Sequence, residues 1–550
     1  MTRQEREVHV GSKTMARVRE YASGVVAAAF LLVPATGHVE SQHTVETIPV
    51  GTTFNQLITD EDTDGDRKIT VDDTTVTGTE RGNKRFSFFT VDRRRREVEG
   101  TYPLSNLLQE LQLLLEAGRD TAGLDMGRVY EQPVDRISRS IRERYWDGLT
   151  RRIDETGLPA MLRDDKTSAI DGKSYLYVPA SDMRAFEYYD GLGRQNAEWN
   201  LRVNRLPPRL TPEYVQSRNG YPGILTLALT EGQAGSAQGV PFVVPGGRFN
   251  EMYGWDSYFI ILGLLQDGRV ELARSIVENF VYEVTHYGAV LNANRTYYLT
   301  RSQPPFLTSM ALEVCEHLPA DSLRLLWLRK VLEAAVHEYR TVWTNPEHMT
   351  STGLSRYFDT GTGPPPEVEP GHFDAVFAEF AARRGMDARA YELAYRTGKI
   401  RESELDEFFI HDRAMRESGH DTSYRLYGRC ADLATVDLNS LLYKIELDIA
   451  TVLEREFGGS ITPANGMVER STDWFVRAAK RKENINKYLW DPERGMFFDY
   501  NVRTGERVTY VSATTLYPLW ASLATLKQAR SIVGRALPLL EMPGGVVSST

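Results

Sequence analysis

From Thr101 onward, apolar positions recur at intervals of three and four. Leu104, Leu107, Leu108, Leu111, Leu114 and Leu115 keep that spacing and predict a helix with one buried face. Trp255 to Leu265 predicts another helix, closed by a turn at Asp267-Gly268. The helix after it would bury Ala273, Ile276, Val277, Phe280, Val281 and Val284. Residues 322–340, 437–457, 473–490 and 513–538 carry similar runs. Trp490 to Tyr500 reads as a helix stop followed by an extended turn, with Pro492 and Gly495 as punctuation. Strand alternation is sparse. Helix pairs in series with long loops predict a ring or stack of hairpins; an open solenoid would show a fixed repeat period, and this chain shows none.

The segments before Thr101 differ. Residues 1–50 sustain no period and read as a poorly ordered leader. Residues 51–100 are polar, first acidic and then basic, and read as a small module ahead of a main helical domain at 101–550. Within the leader, Ala22 to Pro34 is apolar and follows Lys13, Arg17 and Arg19. That run is too short to span a bilayer, so no stable membrane insertion is expected. It has the length of a secretory core segment, but the stretch before it is long and carries acids. A cytoplasmic protein with a short buried or disordered leader is the expectation, with secretion as the alternative.

Composition narrows the classes. An apolar fraction of 41% and a charged fraction of 25% are those of an ordinary soluble protein. The net charge of −10 argues against a nucleic-acid partner. Two cysteines, Cys315 and Cys430, exclude a disulfide framework and read as buried thiols in a reducing compartment.

Three distant segments carry the candidate chemistry. They are Pro245-Gly-Gly-Arg-Phe-Asn-Glu-Met-Tyr-Gly-Trp-Asp-Ser-Tyr258, Leu291 to Pro305, and Glu417-Ser-Gly-His-Asp-Thr-Ser-Tyr-Arg425. A pocket for a neutral sugar needs rigid donors and acceptors for hydroxyl groups, and aromatic faces for the C–H side of the ring. Cleaving a glycosidic bond adds two carboxyl groups, one to protonate the leaving oxygen and one to activate water or attack. Arg248, Trp255 and Asp256 come from the first segment, Asn292, Arg301 and Gln303 from the second, and Asp421 from the third. Singly, each has a plainer reading. Arg248 can be a surface arginine on a turn, Asp421 a helix cap and Trp255 ordinary core.

The first segment resembles the signature PGGRFxExYxWDxY of the trehalases of glycoside hydrolase family 37 and matches it at every fixed position. The resemblance spans roughly residues 55–550 and is closest to the fungal neutral trehalases. It implies an all-α fold, an (α/α)6 toroid, and hydrolysis of α,α-trehalose to two glucose molecules with inversion. It implies Asp421 as the general acid, with Arg248, Trp255, Asp256, Asn292, Arg301, Glu367, Arg416 and Gly419 holding the sugar. It also implies a second signature, QWDxPxGWAP, and a general-base glutamate. Neither occurs before Thr550, so the chain reads as truncated, weakly active or inactive, with water activation lowered by about 10²–10⁴-fold.

Asp62 to Asp73 places oxygen donors at loop positions 1, 3, 5, 9 and 12, a spacing that wraps a hard cation such as Ca²⁺. Asp62, Asp64, Asp66 and Asp73 would supply carboxylates and Lys68 its backbone carbonyl. A solvated acidic loop is the plainer alternative. The loop departs from the EF-hand pattern: Gly65 stands at position 4, Arg67 at position 6, and aspartate at position 12. The fungal neutral trehalases have a similar loop here, which implies calcium modulation. The resemblance further implies 14-3-3 proteins as partners. Lys84-Arg-Phe-Ser87 faintly matches a basophilic kinase site, and Arg93 to Arg96 reads as a solvated linker. Two other functions remain open: an inverting α-glucan hydrolase on the same fold, and a non-catalytic sugar-binding fragment.

Overall fold

The computed structural model describes residues 44–70, 84–164, 166, 169–232, 236–421 and 423–550. The apolar run at 22–34 and Asp73 lie outside the described residues. The chain forms two compact units, Met1–Asp147 and Gly148–Thr550.

In the first unit, the Leu104, Leu107 and Leu111 stripe of the Thr101–Glu116 helix is fully buried, as its spacing predicts. It packs with Leu57 of the Val50–Glu61 helix and with Phe86, Phe88 and Val98 of an antiparallel hairpin, Arg85–Phe89 with Arg95–Glu99. Helix 101–116 thus shares a core with residues 50–99, and the compact unit ends at Asp147 rather than near residue 100. The leader also ends earlier than its lack of period suggests. Val45–Pro49 pairs antiparallel with Thr121–Asp125, and Ile48 enters the core.

Arg93 to Arg96 is not a solvated linker throughout. Glu46 is buried, and Arg94 and Arg96 close on it at 2.9 and 2.8 Å. A buried carboxylate needs such partners, which explains the correction. Ser87 sits in the hairpin, its hydroxyl accepting from Arg95 at 2.9 Å.

The second unit is mainly helical. Asp256–Gln266, Val270–Tyr287, Leu307–His317 and Ser322–Glu338 follow in series, each packed on the next. Val436–Glu456 and Ser471–Tyr488 form a further closely packed pair. Of the apolar positions expected in Val270–Tyr287, all but Val281 are fully buried. Residues 513–538 do not form one helix. Pro518 and Pro538, which lack a donor N–H, each sit in the first turn of a new short helix, and a Thr525–Gln528 capping box starts the Leu526–Arg535 helix between them. A small parallel sheet, with Ser174–Val178 between Leu201–Arg205 and Gly223–Leu225, was not legible, because strands of three to five residues give little alternation.

Candidate active site

The first segment turns on Gly246 and Gly247, both at positive φ (97° and 59°). The turn leaves Arg248 exposed, where it pairs with Glu369 and lies 5.1 Å over the Phe249 ring. Asp256 opens its helix and favours the N-terminal dipole. Burial pushes its carboxyl above the ordinary aspartate range.

The second segment folds beside the first. The Gly254 N–H donates to the Asn292 carbonyl (3.2 Å), the Asn292 N–H to the Arg301 carbonyl (3.0 Å), and the Trp255 N–H to Gln303 Oε1 (3.0 Å). Four sequence-predicted residues are thereby locked into one backbone cluster. Arg301 is buried, pairs with Glu367 and lies 3.7 Å from Asp359. Burial disfavours its charge, but Glu367 and Asp359 outweigh that and hold the guanidinium ionised. Its Nε and Glu367 Oε2 are buried with no hydrogen-bond partner among the described residues. Unsatisfied donors and acceptors of this kind suit a hydroxyl-rich ligand.

The third segment leaves the end of the Ser403–Glu417 helix. Gly419 adopts φ +69°, and a Cβ there would lie 2.7 Å from the Trp255 indole. Only glycine lets the loop cross that ring. The His420 ring meets the indole edge-on at 5.3 Å. Asp421 comes 3.9 Å from Arg416 Nη1, and Arg416 is itself held by Asp412 (2.8 Å) and His372 (3.2 Å). Asn292 Nδ2 donates to the Arg416 carbonyl at 3.4 Å. The Asp421 side chain keeps 53% of its surface open. Desolvation raises its pKa first; Arg301 and Arg416 oppose the rise, and Glu367 and Asp412 add to it. Asp421, Arg416, Arg301 and Glu367 therefore share one electrostatic neighbourhood. Arg248 is paired instead with Glu369, two residues beyond Glu367 in sequence.

Several supporting groups escaped the sequence. Glu251, within the first signature, is fully buried and takes Arg295 Nε at 2.9 Å and Lys166 at 2.6 Å. Arg413 holds Asp359 at 2.8 Å and the Gly363 carbonyl at 2.7 Å, shaping the loop that carries Glu367. Arg425 binds Asp437 and Asp499, both at 2.6 Å, and fixes the far end of the third segment. No spacing rule names such distant partners.

In the first unit, one carboxylate oxygen each from Asp62, Asp64 and Asp66 lies within 4.8 Å of the others. Asp62 accepts the N–H groups of Gly65 (2.8 Å) and Arg67 (2.9 Å), curling the loop. Arg67 takes φ +64°, the left-handed turn that glycine usually supplies. The Lys68 ammonium sits 2.7 Å from Asp66 and holds that carboxyl below its ordinary range. Three clustered hard oxygens fit a divalent cation of the calcium type.

The trehalase family model matches residues 116–550. A probable trehalase of Eremothecium gossypii is 47% identical, over 91% of this chain and 69% of that protein. A cytosolic neutral trehalase of Emericella nidulans is 46% identical, over 92% of this chain and 68% of that protein. The structure resembles neutral trehalase Nth1 from Saccharomyces cerevisiae with a TM-score of 0.74 and 45% identity, covering 76% of this chain and 78% of that one. These likenesses place the chain among glycoside hydrolases with a helical toroid fold. It belongs to the trehalase family.

Proposed function

We propose that this chain hydrolyses α,α-trehalose to two glucose molecules by inversion, with Asp421 as general acid. The observation that carries the reading is the Asp421 carboxyl beside Arg416, in the field of Arg301 and Glu367, with its proton affinity raised by its surroundings. A protonated Asp421 delivers its proton to the bridging oxygen as the glycosidic bond breaks. Asn292, Arg301, Glu367 and Arg416 orient hydroxyl groups of one glucosyl unit, and Trp255 covers its C–H face. Inversion requires a second carboxyl about 6.5–9.5 Å from the acid, leaving room for the attacking water.

The test is a sugar panel of trehalose, maltose and maltotriose, with the product anomers followed by NMR. Trehalose alone should be cleaved, giving one α- and one β-glucose per turnover. Equal turnover of maltose would replace this reading with an α-glucan hydrolase.

The loop Asp62–Asp66 would hold Ca²⁺, with the Lys68 carbonyl and Asp73 completing the donor set. The cation would supply structural order, since the loop brings no sugar-contacting group. Binding of Ca²⁺ should displace the Lys68 ammonium from Asp66. Calorimetry of the Asp62→Ala/Asp64→Ala variant should show the calcium heat abolished; a heat equal to that of the parent chain removes the loop as a site. Cys315 and Cys430, both buried and unpaired, suit a reducing cytosolic compartment. No helix among the described residues is long and apolar enough to cross a membrane.

A further inference from the structure

Behind the sugar-facing backbone of the second segment stands a row of buried acids that the proposed reaction does not use. Glu283, on the Val270–Tyr287 helix, accepts the Leu291 N–H at 3.0 Å. Glu338, the last residue of the Ser322–Glu338 helix, accepts the N–H of the preceding residue, Val290, at 3.1 Å. The Ser302 hydroxyl donates to the Val290 carbonyl at 2.6 Å, and the Ser302 N–H to Glu417 at 3.3 Å. Leu291 and Ser302 face each other as a bridge, one residue from Asn292 and one from Arg301. Glu283 is 0% exposed and Glu338 3%. Among the described residues, neither is ion-paired with Lys or Arg.

Residues meant only to fill helix surface do not look like this. A carboxyl buried without a cation is costly unless its oxygens are used, and here each carboxyl spends one oxygen on a backbone N–H leading into Asn292, while Glu283 Oε1 has no hydrogen-bond partner among the described residues. Resting on the trehalose reading, we propose that Glu283 and Glu338 are positioning residues for the substrate: as a clamp they fix the backbone from which Asn292 and Arg301 reach the sugar, and the clamp loosens when Glu338 ionises.

The surroundings support this. Glu283 is pushed well above the glutamate range by burial first and by Glu338 second. Glu338 is pushed up to about 7 by burial, opposed by the Val290 N–H and the Trp343 indole. Of the charged groups on the packed helices, Glu446 pairs with Arg481 and Asp448 with Lys444, while Glu417, which takes the Ser302 N–H, also faces His348. A protonated carboxyl still offers a carbonyl oxygen to Val290, so the neutral clamp holds. Ionising Glu338 leaves a carboxylate in a dry interior with no Lys or Arg paired to it among the described residues. The native state keeps the Glu338 proton to about pH 7, whereas the unfolded chain gives it up near 4.5. This group's contribution to stability therefore falls as pH rises from about 4.5 to 7 and is level above that.

The test measures trehalose affinity by calorimetry between pH 6 and 8.5, with thermal unfolding between pH 5 and 7, for the parent chain, Glu338→Gln and Glu338→Leu. Parent affinity should weaken several-fold as pH rises, while Glu338→Gln, which keeps an accepting oxygen and cannot ionise, should hold its affinity and lose less melting temperature across pH 5–7. Glu338→Leu should bind on the order of tenfold more weakly at every pH, because the Val290 N–H is stranded. Parallel pH profiles for the parent and Glu338→Gln, or unimpaired binding by Glu338→Leu, overturn the proposal. If the parent chain binds no trehalose, the functional reading falls instead, and the melting comparison still decides the clamp.

Discussion

Asp421→Asn is expected to lower trehalose turnover by about 10²–10⁴-fold while trehalose affinity changes little. The amide keeps the shape of the carboxyl, and the 3.9 Å approach of Arg416 is a long contact whose loss alters binding only slightly. What the amide cannot do is give a proton to the departing oxygen. The parent pH profile carries the same information. A general acid works only while protonated, and the pKa of Asp421 is raised, mainly by the protein packed around it. The rate should therefore fall as pH rises through that elevated value, and this limb should vanish from the residual activity of the variant. Steady-state kinetics with separate kcat and KM read both effects. A variant with the parent kcat would remove Asp421 from the reaction.

Arg301→Ala should abolish measurable trehalose binding and destabilise the second unit by about 3 kcal/mol, the cost of stranding one partner of a buried ion pair. Arg301 is 4% exposed and is the only cation paired with Glu367 among the described residues. Asp359 is less affected, since Arg413 stays on it at 2.8 Å, which keeps the expected loss at the low end. Arg301→Lys should restore stability in part but not affinity. A single ammonium cannot address Glu367, Asp359 and a sugar hydroxyl in the planar fork that guanidinium provides. Urea unfolding and calorimetry measure the two quantities separately. Unchanged unfolding with unchanged affinity would mean that Arg301 is neither structural nor a sugar ligand.

Much of the helical frame was legible because its stripes are long. Leu104, Leu107 and Leu111 lie in the core as their spacing predicts, and so do Ala273, Ile276, Val277, Phe280 and Val284. The run at 513–538 misled because its apolar spacing continues through Pro518 and Pro538, where the hydrogen-bond ladder cannot. At the site, the three segments were legible as chemistry through their glycines, arginines and carboxyls. Their supports were not. Glu251 meets Arg295 across 44 residues and Arg413 meets Asp359 across 54, and no local pattern announces either pair. Glu283 and Glu338 are harder still, because an acid on a helix normally reads as solvent-facing until the neighbouring loop is seen to cover it.

The crossing of Gly419 over Trp255 ties two distant positions into a single volume constraint. With 2.7 Å between the indole and the place a β-carbon would occupy, bulk added at one position has to be removed at the other. The backbone at 419 also stands at φ +69°, so a smaller ring at 255 relieves the collision without relieving the torsion. Sequence drift at this crossing is therefore one-directional: the aromatic partner can shrink around the glycine, but the glycine has no larger residue to become.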